Sequence, residues 1–328
     1  MQKLLVIRFS SLGDIAQALT AAQALKQSHP QATIHWVTRS DFTDFVKIFT
    51  CVDTVWSFQR RQGFIGLVKL ALELRRQKFD FVYDAHSNVR SRIISLLLWT
   101  PSLNLIRRSK ERWKRFLLFK MRINTFQMPY RGAFSYLHPL YQLIANTEDA
   151  PYLQTQEQSP ESATDTQKTI LLAPSAAWEL KKWPTEYWQK LIQILQNKLP
   201  SYKIALLGGP EDEFDALVAD GGVINLAGKL SWTQTAYAIK NAPLLISGDT
   251  GALHVADGLK VPAVAIIGPT AFGHPSRLSS LVAEHPLYCR PCTKDGRGRC
   301  YNETFKKCLL EVTPETVFMK AQHLLETR

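Results

Sequence analysis

Short, mostly apolar runs alternate with longer amphipathic segments along the first half of the chain. The apolar runs predict strands at 4–9, 33–39, 52–58, 79–86 and 103–108. The segments between them predict helices from Ile15 to about Ser28, from Phe64 to Gln77 and after Asn88, with a short helix after Ser40. Mostly apolar strands that alternate with helices are typical of a parallel sheet covered on both faces.

The same alternation restarts after a polar stretch, 146–168, which is the best candidate for an interdomain linker. Strands are predicted at 168–175, 202–209, 223–228, 243–249 and 263–270, and helices from near Pro184, Glu211, Ser231 and Gly251. A final helix is predicted over 313–327, with Thr313 as its N-cap and Pro314 as its first helical residue.

These patterns predict two doubly wound, Rossmann-like α/β domains, one over 1–155 and one over 168–312. The C-terminal helix, 313–328, is a candidate for packing against the first domain. Ligands of doubly wound sheets bind outside the carboxyl ends of the strands. With two such domains facing each other, the reaction site is expected in the central cleft between them.

Composition narrows the class of protein. Hydrophobic residues make up 45% and charged residues 21% of the chain, as in soluble globular proteins. The longest apolar run, 93–99, is far shorter than the roughly 18 residues of a membrane span. The N-terminus is interpreted as a first strand and not as a secretory signal, so we expect a cytoplasmic protein. The net charge of +12 favours an anionic partner: nucleic acid, an anionic membrane or a phosphorylated substrate.

One segment concentrates this charge. Residues 107–122 contain eight Lys or Arg and one acid, with Trp113 and Phe116 among the cations. A solvated helix face is one interpretation. An interfacial helix that touches anionic lipid is the other, because such helices interleave aromatic residues with cations. The sequence favours neither.

The first strand runs directly into the turn Arg8–Asp14 and a helix. Gly13 permits a tight turn, and Asp14 lies where a carboxylate can act as a base toward a bound ligand. The alternative is that Ser10, Ser11 or Asp14 merely caps the helix, and spacing alone favours the cap. The chain has no G-x-G-x-x-G at this turn, so this is not a dinucleotide fingerprint.

The richest stretch of the second domain is 246–270. A strand ends at Gly248, and Asp249, Thr250, Gly251 and Ala252 lead into a helix whose free N–H groups suit a diphosphate. His254 lies one turn further on, as a further donor or as a packed histidine. Other strand ends of this domain carry the remaining candidates, which are Ser175, Lys181 and Glu213.

The ordered set S-S-L-G-D, A-P-S…K-x-W-P, L-G-G-P-x-D-E, S-G-D-T-G-x-x-H-x-A and G-P-T resembles the ADP-heptose:lipopolysaccharide heptosyltransferases of glycosyltransferase family 9. The resemblance implies a GT-B fold with the acceptor on the N-terminal domain and the sugar nucleotide on the C-terminal domain. It also implies inverting heptose transfer, with neither metal nor cofactor, to Kdo or heptose of the lipopolysaccharide inner core. The acceptor would be met at the inner face of the cytoplasmic membrane.

The family's functional residues carry over to matching positions. Asp14 matches the catalytic base, which raises that interpretation above the cap. The donor-binding positions are Ser175, Lys181, Glu213, Asp249, Thr250, Gly251, Ala252 and His254. The acceptor-binding positions are expected in the first domain, at Ser11 and Gly13 and at arginines that follow its strand ends, which are Arg60, Arg61, Arg107, Arg108 and Arg112. Ser175 stands where some family members have a Thr pair, so this chain has one hydroxyl there instead of two.

Four of the five cysteines are clustered. Cys289, Cys292, Cys300 and Cys308 have the spacing C-x2-C-x7-C-x7-C. In a cytosolic protein this suggests a structural zinc site before disulfides, although zinc modules more often have two C-x-x-C pairs. A catalytic role is not expected, because displacement at a sugar carbon needs no thiol.

Three alternatives stay open at this stage. A related transferase with another nucleotide sugar or acceptor fits the same motifs, and so does a non-catalytic sugar-nucleotide-binding protein, although the retained Asp14 argues against the latter. A nucleic-acid-binding protein is suggested by charge alone, and no recognised nucleic-acid motif supports it.

Overall fold

The computed structural model describes residues 2–145, 149–157, 166–219 and 221–327. They form two compact units. Unit 1 comprises Met1–Glu111 and Ala133–Gln158, and unit 2 comprises Arg112–Gly132 and Ser159–Arg328. About half of the predicted linker, 146–148 and 158–165, lies outside the described residues.

The elements are numbered along the chain. The strands are β1 (Lys3–Ile7), β2 (Thr33–Arg39), β3 (Thr54–Phe58), β4 (Phe81–Asp84), β5 (Asn104–Arg107), β6 (Thr169–Ala173), β7 (Lys203–Leu206), β8 (Val223–Asn225), β9 (Leu244–Gly248), β10 (Ala263–Ile267) and β11 (Ser280–Glu284). The helices are α1 (Leu12–Ser28), α2 (Thr43–Lys47), α3 (Gly63–Arg75), α4 (Val89–Leu98), α5 (Arg112–Phe116), α6 (Phe134–Leu137), α7 (Thr185–Lys198), α8 (Asp215–Val218), α9 (Trp232–Asn241), α10 (Gly251–Gly258), α11 (Lys307–Leu310) and α12 (Pro314–Glu326).

Unit 1 is built on a parallel sheet in the order β3-β2-β1-β4-β5. Helices α3 and α4 cover one face through a core that includes Leu5, Ile7, Leu70 and Ile94. Chain order reverses between β1 and β4, so the carboxyl ends of these two strands form the switch point where doubly wound sheets bind ligands.

Unit 2 is built on a second parallel sheet in the order β11-β10-β9-β6-β7-β8. Its switch point lies between β6 and β9. The predicted helix starts are largely confirmed: Ser231 and Gln234 form a capping box on α9, and Thr313 caps α12 through its side chain. Strands end one to three residues earlier than predicted, because the small and polar residues after them lie in loops.

One part of the first half of the chain belongs to unit 2. Residues 112–132 were expected within the first domain, yet Leu118 and Phe126 form a buried cluster with Ala271, and Phe272 packs against it. The guanidinium carbon of Arg115 lies 4.5 Å from the Phe272 ring centroid. These contacts span about 150 residues of sequence, so no local pattern predicts them.

The C-terminal helix also belongs to unit 2. Val317 and Ala321 are buried in the unit 2 core, and Glu315 pairs with Lys190 of α7 at 2.6 Å. Helix α12 therefore belongs to the unit 2 core, and its packing on the first domain stays a prediction. Strand β11 was not predicted, because its residues are only partly buried and form no continuous apolar run.

Among the described residues, no helix has the length and apolarity needed to cross a bilayer.

Candidate active site

A salt bridge stands at the carboxyl end of β1. Arg8 follows the strand directly, and its Nη2 lies 2.5 Å from Oδ2 of Asp14 in the first turn of α1. The Arg8 side chain is 7% exposed, whereas that of Asp14 is 44% exposed. Gly13 is buried in the same turn. The turn thus presents a solvent-accessible carboxylate where such sheets bind ligands.

Side chains from distant parts of unit 1 converge on Asp14. Tyr136 of α6 donates its hydroxyl to Oδ1 at 3.1 Å, and Ser11 donates to Oδ2 at 3.0 Å. A carboxylate has about four acceptor positions. With Arg8, Tyr136 and Ser11 in place, about one remains for a substrate hydroxyl. Because these partners are side chains, and Ser11 makes no side-chain capping bond, the interpretation of Asp14 as a mere cap is wrong.

The electrostatics keep Asp14 ionised. Burial raises its pKa, but the guanidinium groups of Arg8 and Arg108 and the hydrogen bonds from Ser11 and Tyr136 together hold the pKa well below its usual value. Asp14 is therefore able to accept a proton at neutral pH. The same partners limit its proton affinity, because a base is most effective when its pKa is near the working pH.

Arg107 and Arg108 are engaged within unit 1. The Nε of Arg107 lies 3.1 Å from Oδ2 of the buried Asp84. Arg108 is itself buried, donates from Nη2 to Ser135 Oγ at 2.7 Å, and lies 4.0 Å from the Tyr136 ring centroid. Arg108 thus helps to fix Tyr136, which bonds Asp14. The acceptor role expected for both arginines stays a prediction.

A basic pocket opens at the same edge of the unit 1 sheet. It is lined by side chains that follow four different strands: Phe9, Ser10, Arg39, Phe58, Arg60, His86 and Arg90. The sequence interpretation identified Arg60 but missed Arg39 and Arg90. Both lie at or shortly after a strand end, which is the signal that singled out Arg60.

Arg61 does not line this pocket. Its Nε donates to Gln59 Oε1 at 3.0 Å, on the short 3₁₀ turn before α3. His86 does line it, and burial together with the charges of Arg8 and Lys110 lowers the pKa of its imidazole to about 3. The pocket therefore combines three arginines with a neutral histidine at physiological pH, a setting suited to phosphate or carboxylate groups.

Arg112 lies outside unit 1. It begins α5, which belongs to unit 2, and it is exposed. Trp113 and Phe116 of the same helix stack with ring centroids 5.5 Å apart and are also exposed. The expected grouping of Arg112 with Arg60 on the first domain is therefore wrong.

Unit 2 holds a second charged group at its own switch point. Asp249, directly after β9, lies 3.0 Å from Lys181 Nζ through Oδ2 and 3.8 Å from His254 Nε2 through Oδ1. Burial raises the pKa of Asp249, but the Lys181 ammonium and His254 outweigh it and hold the pKa below its usual value. The structure thus brings together three of the residues predicted to bind the donor.

The helix after Asp249 begins without a side-chain cap. Thr250 is the N-cap of α10, but its hydroxyl lies 2.8 Å from Ser247 Oγ and makes no capping hydrogen bond. Gly251 and Ala252 open the first turn. Backbone N–H groups at a helix start have no partner within the helix, and the helix dipole adds positive potential, so this turn suits a phosphate.

Two close backbone approaches shape this group. A Cβ at Gly273 would lie 2.2 Å from the Asp249 carboxyl carbon, so only glycine lets this loop close over Asp249. Gly296 has φ +93°, and a Cβ there would lie 2.6 Å from Cγ of Lys181. Loops from two parts of unit 2 therefore pack against the Lys181–Asp249 pair.

Two further predicted donor residues lie on the loops after β6 and β7. Ser175 follows β6 and is partly buried, while Glu213 is exposed on the loop after β7. The turn at the start of that loop is shaped by Asp212, whose Oδ2 accepts a hydrogen bond from the backbone of Gly209 at 2.6 Å. The donor roles of Ser175 and Glu213 stay predictions.

The four clustered cysteines line one cavity together with Leu180, Pro269 and Asn302. All are free thiols, and the backbone N–H of Lys306 donates to Cys300 Sγ at 3.4 Å. Their proximity agrees with the spacing. Within the residues that the structure describes, however, no three His, Cys, Asp or Glu side chains are arranged to hold a metal ion. Structural zinc stays a hypothesis that metal analysis of the purified protein would test.

Two parallel-sheet units, each with charged side chains at its switch point, have the architecture of a GT-B glycosyltransferase. The family model for glycosyltransferase family 9 (heptosyltransferase) matches residues 67–303, and the chain belongs to that family. It is therefore a glycosyltransferase, and the predicted fold class is confirmed.

Known proteins agree with this placement. Lipopolysaccharide heptosyltransferase 1 of Campylobacter coli is 25% identical over 288 residues, which cover 82% of this chain and 84% of the relative. The structure of Escherichia coli ADP-heptose lipopolysaccharide heptosyltransferase II matches with a TM-score of 0.75 and 20% identity, over 99% of both chains. A family 9 glycosyl transferase from Veillonella parvula matches with a TM-score of 0.78 and 21% identity, over 100% of this chain and 98% of the other.

The Arg8–Asp14 pair has a measurable pH signature. Asn at position 14 leaves a buried guanidinium without its counter-charge, so we expect Asp14→Asn to lower the free energy of unfolding at neutral pH. The folded-state pKa of Asp14 is depressed, so its contribution is present above the unfolded pKa of about 3.9 and is lost below it. In urea unfolding, the difference from wild type should be constant from about pH 7 to about pH 4.5 and shrink further down.

The matched control is Asp44→Asn, which alters an exposed pair with Lys47 and should have little effect. Equal stability of Asp14→Asn and wild type at neutral pH would contradict the assigned strength of the pair.

Proposed function

We propose that the protein transfers heptose from ADP-heptose to Kdo or heptose in the inner core of lipopolysaccharide, with inversion at the anomeric carbon. The observation that carries the proposal is the pair of charged groups at the two switch points. Asp14 of unit 1 suits a base, and Lys181, His254 and the start of α10 in unit 2 suit a diphosphate. The names of the relatives supply the sugar and the acceptor.

The donor is assigned to unit 2. Ammonium, imidazole and unpaired N–H groups are the donors that bind phosphate oxygens. Lys181 is held by Asp249, so its ammonium is positioned in advance to donate to a ligand. Gly251 and Ala252 add little bulk at the helix start, which permits close approach of the diphosphate.

The chemistry follows from these roles. Asp14 accepts the proton of the acceptor hydroxyl while that oxygen attacks the anomeric carbon from the face opposite the nucleotide. The bond from the anomeric carbon to the diphosphate breaks, and ADP leaves with the electron pair. Lys181, His254 and the α10 N–H groups stabilise the charge that grows on the leaving group. We propose that these groups suffice without a metal ion or cofactor.

The acceptor is assigned to the basic pocket of unit 1. Kdo carries a carboxylate and the inner core carries phosphates, and guanidinium groups bind both with paired hydrogen bonds. Arg39, Arg60 and Arg90 line the pocket on the same sheet edge as Asp14. Ser11 and Gly13 belong to the turn that carries Asp14, which supports their place beside the acceptor hydroxyl.

We also propose that the protein works in the cytoplasm, peripherally bound to the inner membrane that carries the acceptor. The exposed Trp113–Phe116 stack with Arg112 and Lys114 supports lipid contact through unit 2.

An assay that tests the function measures ADP release from ADP-heptose with truncated lipopolysaccharides. Acceptor-dependent ADP release is expected. ADP-heptose that is not consumed while another nucleotide sugar is would favour the related-transferase alternative. Tight binding of ADP-heptose without turnover would favour the non-catalytic sugar-nucleotide-binding protein.

The donor assignment predicts that a change at Lys181 weakens the binding of ADP. Lys181→Met should weaken ADP binding about tenfold to a hundredfold, because a hydrogen bond to a charged group contributes roughly 1.5–3 kcal/mol. Lys182→Met is the matched control, since Lys182 pairs with the exposed Glu179 at 3.6 Å. Calorimetric titration with ADP compares the two variants. Equal affinities would remove Lys181 from the donor site.

The acceptor assignment separates two neighbouring arginines. Arg60→Ala should raise the acceptor KM and leave the donor KM nearly unchanged, because Arg60 lines the pocket and Arg61 does not. Arg61→Ala, the matched control, should change the acceptor KM much less. The effect of Arg60→Ala should shrink with added salt, which screens the wild-type contact. A loss confined to donor binding would reverse the roles of the two units.

A further inference from the structure

Two helices of unit 1 carry large apolar side chains on their outer as well as their inner faces. Helix α3 buries Leu67, Leu70, Ala71 and Leu74 in the core, and α4 buries Ile94 and Leu98. Six further apolar side chains in or beside these helices are exposed. They are Phe64, Ile65, Leu72, Val89, Leu96 and Trp99, with Ile65 82% and Leu96 75% exposed. We call this set the α3–α4 face.

These exposed side chains lie on two neighbouring helices. Helices α3 and α4 pack side by side on the sheet. Val89 and Leu96 are seven residues apart on α4, which places them on the same side of the helix, two turns apart. Monomeric soluble proteins rarely expose such contiguous apolar surface, and where they do it marks an interaction site.

The charge along these two helices is predominantly positive. The two segments 60–76 and 89–99 together contain seven cations and one acid, Glu73. The cations are Arg60, Arg61, Lys69, Arg75, Arg76, Arg90 and Arg92, and all are exposed. Exposed apolar side chains interspersed with cations match the layered chemistry of an anionic bilayer, with head groups outside and acyl chains within.

The position of the face connects it to the site. Both helices begin at the carboxyl edge of the sheet, so Phe64, Ile65 and Val89 lie at their starts, near Arg60 and Arg90 of the basic pocket. A bilayer on this face would bring the pocket to the head-group layer. That is the depth at which the phosphates and carboxylates of a lipid-anchored saccharide lie.

We propose that the α3–α4 face docks unit 1 on an anionic lipid bilayer and so presents the basic pocket to a membrane-anchored acceptor. The proposal rests on the proposed function, because a lipid-anchored acceptor is what makes docking useful. Helix α4 has ten residues, about 15 Å, so it lies in the interface and does not cross it. This surface is distinct from the Trp113–Phe116 stack, which belongs to unit 2.

The first test measures binding to vesicles of phosphatidylethanolamine with phosphatidylglycerol, by co-sedimentation. A variant with Ile65→Ser, Leu72→Ser and Leu96→Ser removes three exposed apolar groups that do not line the pocket. Its vesicle affinity should fall roughly tenfold or more, because each group loses its burial in lipid. The control variant, Ile224→Ser, Leu278→Ser and Met319→Ser, removes three exposed apolar groups of unit 2 and should bind as wild type.

The second test measures turnover of the same variants on two acceptors. On a deacylated, water-soluble acceptor the α3–α4 variant should match wild type, and on a lipid-anchored acceptor in vesicles its apparent KM should rise. Unchanged vesicle binding would overturn the proposal. The proposal would also be overturned if sedimentation velocity showed that the wild type is a dimer and that the α3–α4 variant is a monomer. The face would then join two copies of the chain. Absence of ADP release on both acceptors would contradict the proposed function, and vesicle binding would still decide the docking surface.

Discussion

The buried guanidinium of Arg8 is the constraint around which unit 1 is organised. A cation that is 7% exposed at the end of β1 is costly unless it is paired and hydrogen-bonded. Asp14 supplies the counter-charge from α1, and the carbonyl oxygen of Ala85, after β4, accepts from Arg8 Nη1 at 3.1 Å. Tyr136 then ties α6 to the same carboxylate. One charged pair thus joins the two central strand ends to two helices.

The same solution appears in unit 2 with the charges exchanged. There the largely buried carboxylate of Asp249 follows a central strand, and Lys181 brings the cation from the loop after the neighbouring strand. Each pair lies where chain order reverses in its sheet, since parallel strands direct their carboxyl ends to one edge. The exposed side of Asp14 offers an acceptor position, and Lys181 offers donor positions. The two pairs therefore have complementary chemistry, one suited to a hydroxyl proton and the other to a diphosphate.

The sequence could predict the features that depend on local order. Apolar runs located the parallel strands of both sheets except β11, and the residues after them included Asp14, Arg60, Lys181 and Asp249. Features that depend on contacts between residues far apart in the chain could not be predicted from the sequence. Tyr136 reaches Asp14 across 122 residues, and residues 112–132 join unit 2 through Phe272.

Periodicity failed in a different way at α3 and α4. It identifies an apolar face, but a helix that is apolar on two sides gives no indication of which side meets the core. The same ambiguity left the basic segment 107–122 undecided. The structure divides that segment, because Arg107 and Arg108 bond within unit 1 whereas Arg112 and the residues after it belong to unit 2.

The central claim is that the carboxylate held by Arg8 is the base of the transfer. It is tested most directly by comparing acceptor-dependent ADP release and ADP affinity in Asp14→Ala and wild type. The account predicts that turnover falls by the ~10²–10⁴-fold typical of base removal while ADP affinity is unchanged. Asp14→Asn, which keeps the size of the side chain, should show the same loss. Retained turnover in either folded variant would contradict the account.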